Sequence, residues 1–164
     1  MKKIILLLIV AGAFIACPKT TDPEIKFSLL ISPDEQTVSQ NSDAEFSVKI
    51  ENVEDLFAFS VEIVFDQSIV EVSEDIVVGD FWSESIVSLS VIESGKLNVT
   101  IGLEQSTSDD GISGDGILFS FRILGTNIGE SNITFENLVL MDEDGNSVSD
   151  FADLEIINGK IIVE

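Results

Sequence analysis

The sequence predicts an all-β fold in which two sheets pack face to face. Apolar and polar residues alternate with a period of two along most of the chain, and no stretch shows a sustained helical stripe. Turn signals rich in glycine, asparagine and aspartate separate these segments. Hydrophobic residues make up 45% of the 164 positions, enough for a core despite the high charge. Short strands with one apolar and one polar face need two packed sheets, so a β-sandwich is expected.

Nine or ten short strands account for the domain. The clearest alternation occurs in the segments 46–51, 59–65, 97–104 and 117–123. Further candidate strands are 27–31, 69–72, 86–92, 133–135, 138–141 and 156–163. Ten of the eleven phenylalanines, with Phe119 among them, are expected to be in the core.

The charge and the composition exclude several functions. There are 30 Asp and Glu residues against 8 Lys and Arg, so the formal net charge is −22 and nucleic acid is not an expected partner. The absence of His removes Ser-His-Asp and Cys-His catalysis and every His-ligated metal site. We therefore expect a protein that is not an enzyme and that needs no cofactor and no metal.

The first sixteen residues are typical of an export signal. Two lysines, Lys2 and Lys3, precede an apolar run over 4–16 that would span about 20 Å as a helix, against roughly 30 Å of bilayer hydrocarbon. Phe14 to Cys17 resembles a bacterial lipobox, in which the Cys thiol becomes a lipid thioether. The alternative is an ordinary secretory signal that happens to contain this cysteine.

This interpretation divides the chain into three parts. Residues 1–16 are a signal peptide, 17–24 are the lipidated Cys17 with a linker that contains two prolines, and 25–164 are the sandwich domain. A lone cysteine in an exported chain has no internal disulfide partner, which favours lipidation. The expected location is the cell surface or the periplasm, with the membrane as a partner through the lipid.

Three local patterns suggest sites, and each has a simpler explanation. The sequence 142–146 resembles a calcium loop, but an EF-hand fit puts Leu140 and Phe151 where carboxylates are required, so an acidic turn is expected. The acidic residues around Asp110 are interpreted in the same way. Trp82 is the one candidate platform for a sugar ring, and packing in its loop is the favoured interpretation.

Several motifs in order resemble cohesin modules. The aromatic-Asp strand end, the Gly-x-aromatic turn and the Gly-x-Gly strand entry are followed by three later motifs, and together they span about 26–163. These motifs lie at 59–70, 79–81, 114–123, 129–135, 140–145 and 158–163.

The resemblance implies a nine-stranded jelly roll that binds the dockerin module of another protein. In cohesins the dockerin lies on the solvent face of the sheet that contains the aromatic-Asp strand and the central hairpin. Ala58, where many cohesins carry a hydrogen-bonding side chain, is a departure from the family pattern, as are Ser60 and Ile92. The outward positions that the resemblance assigns to partner binding are Ser60, Glu62, Ser90, Ile92, Asn98, Thr100 and Glu104.

The favoured function is thus a non-catalytic, surface-tethered module that captures a dockerin-bearing protein and is linked to polysaccharide degradation. One alternative is a lipoprotein on the same fold that binds polysaccharide, which would need a row of exposed aromatic residues. The other alternative is a structural or adhesin-like surface domain with a homotypic partner.

Overall fold

The computed structural model describes residues 27–82, 86–105, 110–148 and 154–164, which form two six-stranded sheets. The signal peptide, Cys17 and the linker lie outside the described residues. Sheet I contains β1 (Ser28–Ser32), β3 (Asp43–Leu56), β5 (Val70–Val72), β6 (Val77–Val78), β9 (Ile112–Gly125) and β11 (Glu155–Ile157). Sheet II contains β2 (Glu35–Val38), β4 (Ala58–Val64), β7 (Ile86–Glu93), β8 (Lys96–Leu103), β10 (Gly129–Met141) and β12 (Gly159–Val163).

The strand order explains how the sandwich closes. Sheet I has the order β11-β1-β3-β9-β5, with β6 also paired to β9, and sheet II has the order β2-β12-β10-β4-β8-β7. Pairing is antiparallel except at β1 with β11 and at β2 with β12. The predicted all-β sandwich is confirmed. No helix in these four segments is long and apolar enough to cross a membrane.

Strand boundaries differ from the prediction where the backbone is irregular. The candidate strands 133–135 and 138–141 belong to one strand, β10. The gap predicted between them is an irregularity within this strand, where the register shifts between Glu136 and Val139 and Asn137 has a positive φ of 48°. The candidate strand 156–163 is two strands in different sheets, β11 and β12, separated by Asn158. In β10 the apolar residues that pack inward change from odd-numbered Ile133 and Phe135 to even-numbered Leu138 and Leu140, which marks the irregularity but not the continuity of the strand.

A row of phenylalanines joins the sheets in the core. Phe119 of β9 lies 6.0 Å from Phe121 and 6.2 Å from Phe59 of β4, measured between ring centroids. Phe46 stacks on Phe121 at 6.0 Å. These four rings are almost completely buried, and the other described phenylalanines are buried or packed against the core. Phe119 is therefore a core residue, as predicted.

Two of the sequence motifs meet in one turn. Asp66 lies just after the end of β4 at Val64, and its Oδ1 accepts hydrogen bonds from the backbone N and Oγ of Ser68 at 2.8 and 2.6 Å. The backbone N of Asp66 donates to the buried Oγ of Ser131, two residues after Gly129. The aromatic-Asp motif and the later Gly-x-Ser motif thus fix the same end of sheet II.

The Gly-x-aromatic motif fits a tight approach of two segments. A Cβ at Gly79 would overlap the carbonyl oxygen of Ile117, so any larger residue would displace the turn. The next residue, Asp80, accepts a hydrogen bond from the backbone N of Ile117 at 3.0 Å. Phe81 and Trp82 then pack edge to face, with ring centroids 5.2 Å apart. The motif therefore covers the side of β9 that faces away from β3.

Added salt is expected to raise the melting temperature by roughly 2 to 5 °C between about 10 and about 500 mM, because the net charge of −22 makes the folded chain repel itself. Ion pairs such as Lys160 with Glu35 at 3.1 Å and Glu130 at 3.5 Å, or Arg122 with Glu45 at 3.0 Å, are solvent-exposed and stabilise little. Thermal unfolding at fixed protein concentration checks this. A melting temperature that does not change with salt would contradict it.

Candidate functional site

The outward side of β10, β4, β8 and β7 forms a regular grid of side chains, which we call the interaction face. On β4 the buried residues are Phe59, Val61 and Ile63, so the alternate residues point away from the core. Residues that face each other across a strand pair share a side of the sheet. Reading across β10, β4, β8 and β7, the four rows are Met141, Ala58, Gly102 and Val87; Val139, Ser60, Thr100 and Leu89; Glu136, Glu62, Asn98 and Val91; and Thr134, Val64, Lys96 and Glu93.

The centre of the interaction face is small, polar and uncharged. Ser60 Oγ and Thr100 Oγ1 are 2.9 Å apart and share a hydrogen bond in which either hydroxyl can donate. Each hydroxyl keeps acceptor lone pairs for a partner. Ser60, Asn98 and Thr100 were all predicted to lie on this face, and the register confirms that placement.

In the rows next to this centre, an ion pair with Lys96 holds the side chain of Glu62 in place. Lys96 Nζ lies 2.8 Å from Glu62 Oε1, and the side chain of Glu62 is mostly covered while that of Lys96 is partly exposed. The hydrogen bond that Lys96 donates to Glu62 raises the pKa of Lys96, with smaller contributions from the charges of Glu62, Glu136 and Glu93. Glu62 lies on the interaction face as predicted, but its carboxylate already has a partner.

The predicted orientation of two residues is wrong. Ser90 faces Val99 and Ile92 faces Leu97, both buried, so these two side chains lie on the inner side of β7. The cause is the two-residue turn at Ser94 and Gly95, which sets even-numbered residues of β8 opposite odd-numbered residues of β7. Ile92 is nevertheless 42% exposed because β7 is the terminal strand of its sheet.

Sequence reasoning missed the residues of β7 that do lie on the interaction face. Val87, Leu89 and Val91 are 62, 63 and 44% exposed and form an apolar row beside the polar centre. Val139 and Met141 of β10 border the opposite side of the centre and are also exposed. Because β7 carries apolar residues on both sides, its sequence alone does not show which side faces outward. The length of the hairpin turn between β7 and β8 would have predicted the orientation.

Glu104 lies at the margin of the interaction face. It follows Leu103, the last residue of β8, and is half-buried. Leu103 faces Ile86, the first residue of β7, so Glu104 lies one position beyond the paired rows. Its predicted role in partner binding stays a prediction.

The other patterns are structural in the described part of the chain. Trp82 is buried, and its Nε1 donates a hydrogen bond to the carbonyl oxygen of Leu118 at 3.0 Å, which confirms packing over sugar contact.

In the acidic segment 142–146, Asp142 Oδ1 accepts a hydrogen bond from the backbone N of Asn146 at 2.7 Å, and this bond holds the pKa of Asp142 below its usual value. The acidic segment is thus a turn closed by Asp142. No group of three or more His, Cys, Asp or Glu side chains that could hold a metal ion occurs among the residues described.

Several solved structures that match this fold are cohesins. A non-cellulosomal cohesin from the hyperthermophilic archaeon Archaeoglobus fulgidus matches with a TM-score of 0.68 and 26% identity over 85% of this chain and 91% of its own. A type I cohesin–dockerin complex from Clostridium thermocellum matches with a TM-score of 0.67 and 21% identity, over 85% and 99% of the two chains. A type II cohesin domain from the cellulosome of Acetivibrio cellulolyticus matches with a TM-score of 0.70 and 15% identity, over 83% and 95%. No protein-family model matches the sequence, and no curated protein does.

These similarities confirm the resemblance inferred from the motifs. The chain has the cohesin fold over nearly all the residues described, a jelly-roll sandwich, and cohesins are non-catalytic modules. The prediction that the chain is not an enzyme agrees with this.

Proposed function

We propose that this chain, which has the fold of cohesin modules, is a non-catalytic module that captures a dockerin-bearing protein on the interaction face. The observation that carries the proposal is the composition of that face, in which the hydroxyls of Ser60 and Thr100 lie between two apolar borders. Protein interfaces combine central anchor groups with surrounding contacts that exclude water. Solved cohesins of this fold occur in complexes with dockerins.

The apolar residues of β7 and β10 on either side of the hydroxyls, which we call the apolar borders, provide hydrophobic surface that a partner can bury, although the flat sheet has no groove. Leu89 and Val91 on β7, with Val139 and Met141 on β10, leave a strip of polar side chains between them. A rigid partner element lying across the strands would bury both borders and pair with the hydroxyls. The ion pair of Glu62 and Lys96 at one end would contribute orientation more than affinity.

Capture from host extract tests the proposal. Immobilised chain is expected to retain a protein that carries paired calcium-loop repeats, and removal of calcium with a chelator is expected to release it, because such repeats depend on the ion for their fold. The control is Thr100→Arg, which should retain little of this protein. If no repeat-bearing protein is retained, or if the variant retains as much, the proposal fails.

A lipid on Cys17 would hold the module at a membrane. The support is the apolar run 4–16 before the only cysteine in the chain. The eight residues from 18 to the start of the domain at 25 would reach at most about 27 Å from the lipid. The module would thus present its partner close to the surface. The link to polysaccharide degradation is proposed with it, and the catalytic domain of a captured protein would identify the substrate.

Cys17→Ser is expected to leave the protein exported but free of membranes, because thioether formation requires the sulfur atom. Fractionation after a high-salt wash checks this, and the parent chain should remain in the membrane fraction. If the variant also sediments with membranes, the anchor is not the cysteine.

A further inference from the structure

Among the strands that the structure describes, none pairs with the outer edge of β7 in sheet II. It is the terminal strand in the order of the sheet, and β8 is its only neighbour among the described strands. Along this edge alternate backbone N–H and C=O groups point away from β8. The strand has eight residues, Ile86–Glu93, and contains no proline and no lysine that would discourage pairing.

The sequence of this strand is a palindrome. Residues 86–92 read Ile-Val-Ser-Leu-Ser-Val-Ile, and Leu89 is the centre. Two copies that pair antiparallel about Leu89 therefore set Ile86 opposite Ile92, Val87 opposite Val91 and Ser88 opposite Ser90, with Leu89 opposite itself. Every pair is chemically matched, and the apolar row of one interaction face meets the apolar row of the other.

Charge does not oppose this pairing at the contact itself. None of the residues 86–92 is charged. Glu93 at the end of the strand faces Lys96 within the same chain, and the two charges offset each other. Repulsion between two copies comes from the remaining net charge, which acts over longer distances and is screened by salt.

We propose that β7 pairs with β7 of a second copy of this chain, antiparallel and centred on Leu89, so that the two sheets II join into one continuous sheet. The two-fold axis of such a pair runs perpendicular to the sheet, so both interaction faces point to the same side. The dimer goes beyond the proposed capture of one partner, because it presents two binding faces side by side and gains avidity for a partner with two binding modules.

Cross-linking tests the register. In the full chain with Cys17→Ser, kept in non-ionic detergent, Leu89→Cys is expected to form an intermolecular disulfide at least about 10-fold faster than Ile128→Cys, because directly opposed residues of antiparallel strands are within disulfide reach. Ile128 is 69% exposed in the turn between β9 and β10 and serves as the matched control. Equal rates for the two variants would overturn the proposal.

A mixing experiment separates this register from mere proximity. Val87→Cys and Val91→Cys are expected to cross-link when the two variants are mixed and to cross-link slowly when either is alone, because Val87 of one copy faces Val91 of the other. Self-linking of each variant as fast as the mixture would show a different arrangement and overturn the register.

Association itself is measured by sedimentation velocity without any partner present, so the outcome is independent of dockerin capture. The parent is expected to dimerise more strongly as salt increases, and Leu89→Lys is expected to weaken the dimer at least about 10-fold, since it sets two like charges opposite each other. Ile128→Lys carries the same change of charge and should have no effect. A parent that stays monomeric up to about 1 mM, or a Leu89→Lys variant that dimerises as the parent does, would overturn the proposal.

Discussion

Thr100→Arg is expected to weaken binding of the captured partner by about 100-fold or more while the domain stays folded. Thr100 is exposed at the centre of the interaction face, so the larger side chain fits in the free protein. In the complex it would hold the partner away from the apolar borders and remove the hydroxyl that pairs with Ser60. Binding kinetics and the melting temperature of the same preparations measure the two effects separately.

Thr37→Arg is the matched control for this variant. Thr37 is exposed on β2, at the opposite edge of sheet II, where it faces Ile162 of β12. The substitution changes charge and volume by the same amount on the same sheet, away from the interaction face. Partner binding equal in both variants would show that this face is not the functional surface.

Phe119→Ala is expected to lower the free energy of unfolding by about 3 to 5 kcal/mol. The ring of Phe119 is fully buried and contacts Phe59 of sheet II and Phe121 of its own sheet, so its removal leaves a cavity where the two sheets meet. Chemical denaturation measures the loss. Binding by the folded fraction should be unchanged, since Phe119 lies beneath the interaction face and not on it.

Phe135→Ala provides the comparison, because Phe135 on β10 is only partly buried at the edge of the same core. We expect it to cost clearly less than Phe119→Ala. If the two variants lose equal stability, the phenylalanine row is not the centre of the core.

How far the sequence predicts the interaction face depends on how each strand is buried. Along β4 and β8 every second residue is a buried apolar residue and the residues between them are at least partly exposed, so the outward positions Ser60 and Thr100 follow from the pattern alone. β7 carries apolar residues on both sides, Val87 and Leu89 outward and Ile92 inward, and its pattern favours neither side. In β7 the orientation is set by the hairpin turn, because the two turn residues Ser94 and Gly95 determine which residue of β7 lies opposite each residue of β8.

The ends of strands were harder to predict than their existence, for a similar reason. In β10 the backbone at Asn137 leaves the regular register without ending the strand. At Asn158 the chain leaves one sheet and enters the other, although apolar residues lie on both sides of this position. Hydrophobic alternation reports which residues are covered, and it does not report which sheet covers them.

The passage from β11 to β12 through Asn158 has a consequence for the order of folding. β2 pairs with β12 and β11 flanks β1, so two N-terminal strands take partners from residues more than 100 positions later in the chain. Contacts that distant form slowly, because a long loop must close before they stabilise anything. A chain that emerges from the ribosome or crosses a membrane from its N-terminus therefore keeps β2 without its strand partner until residues 159–163 are free, and the domain closes in one late step.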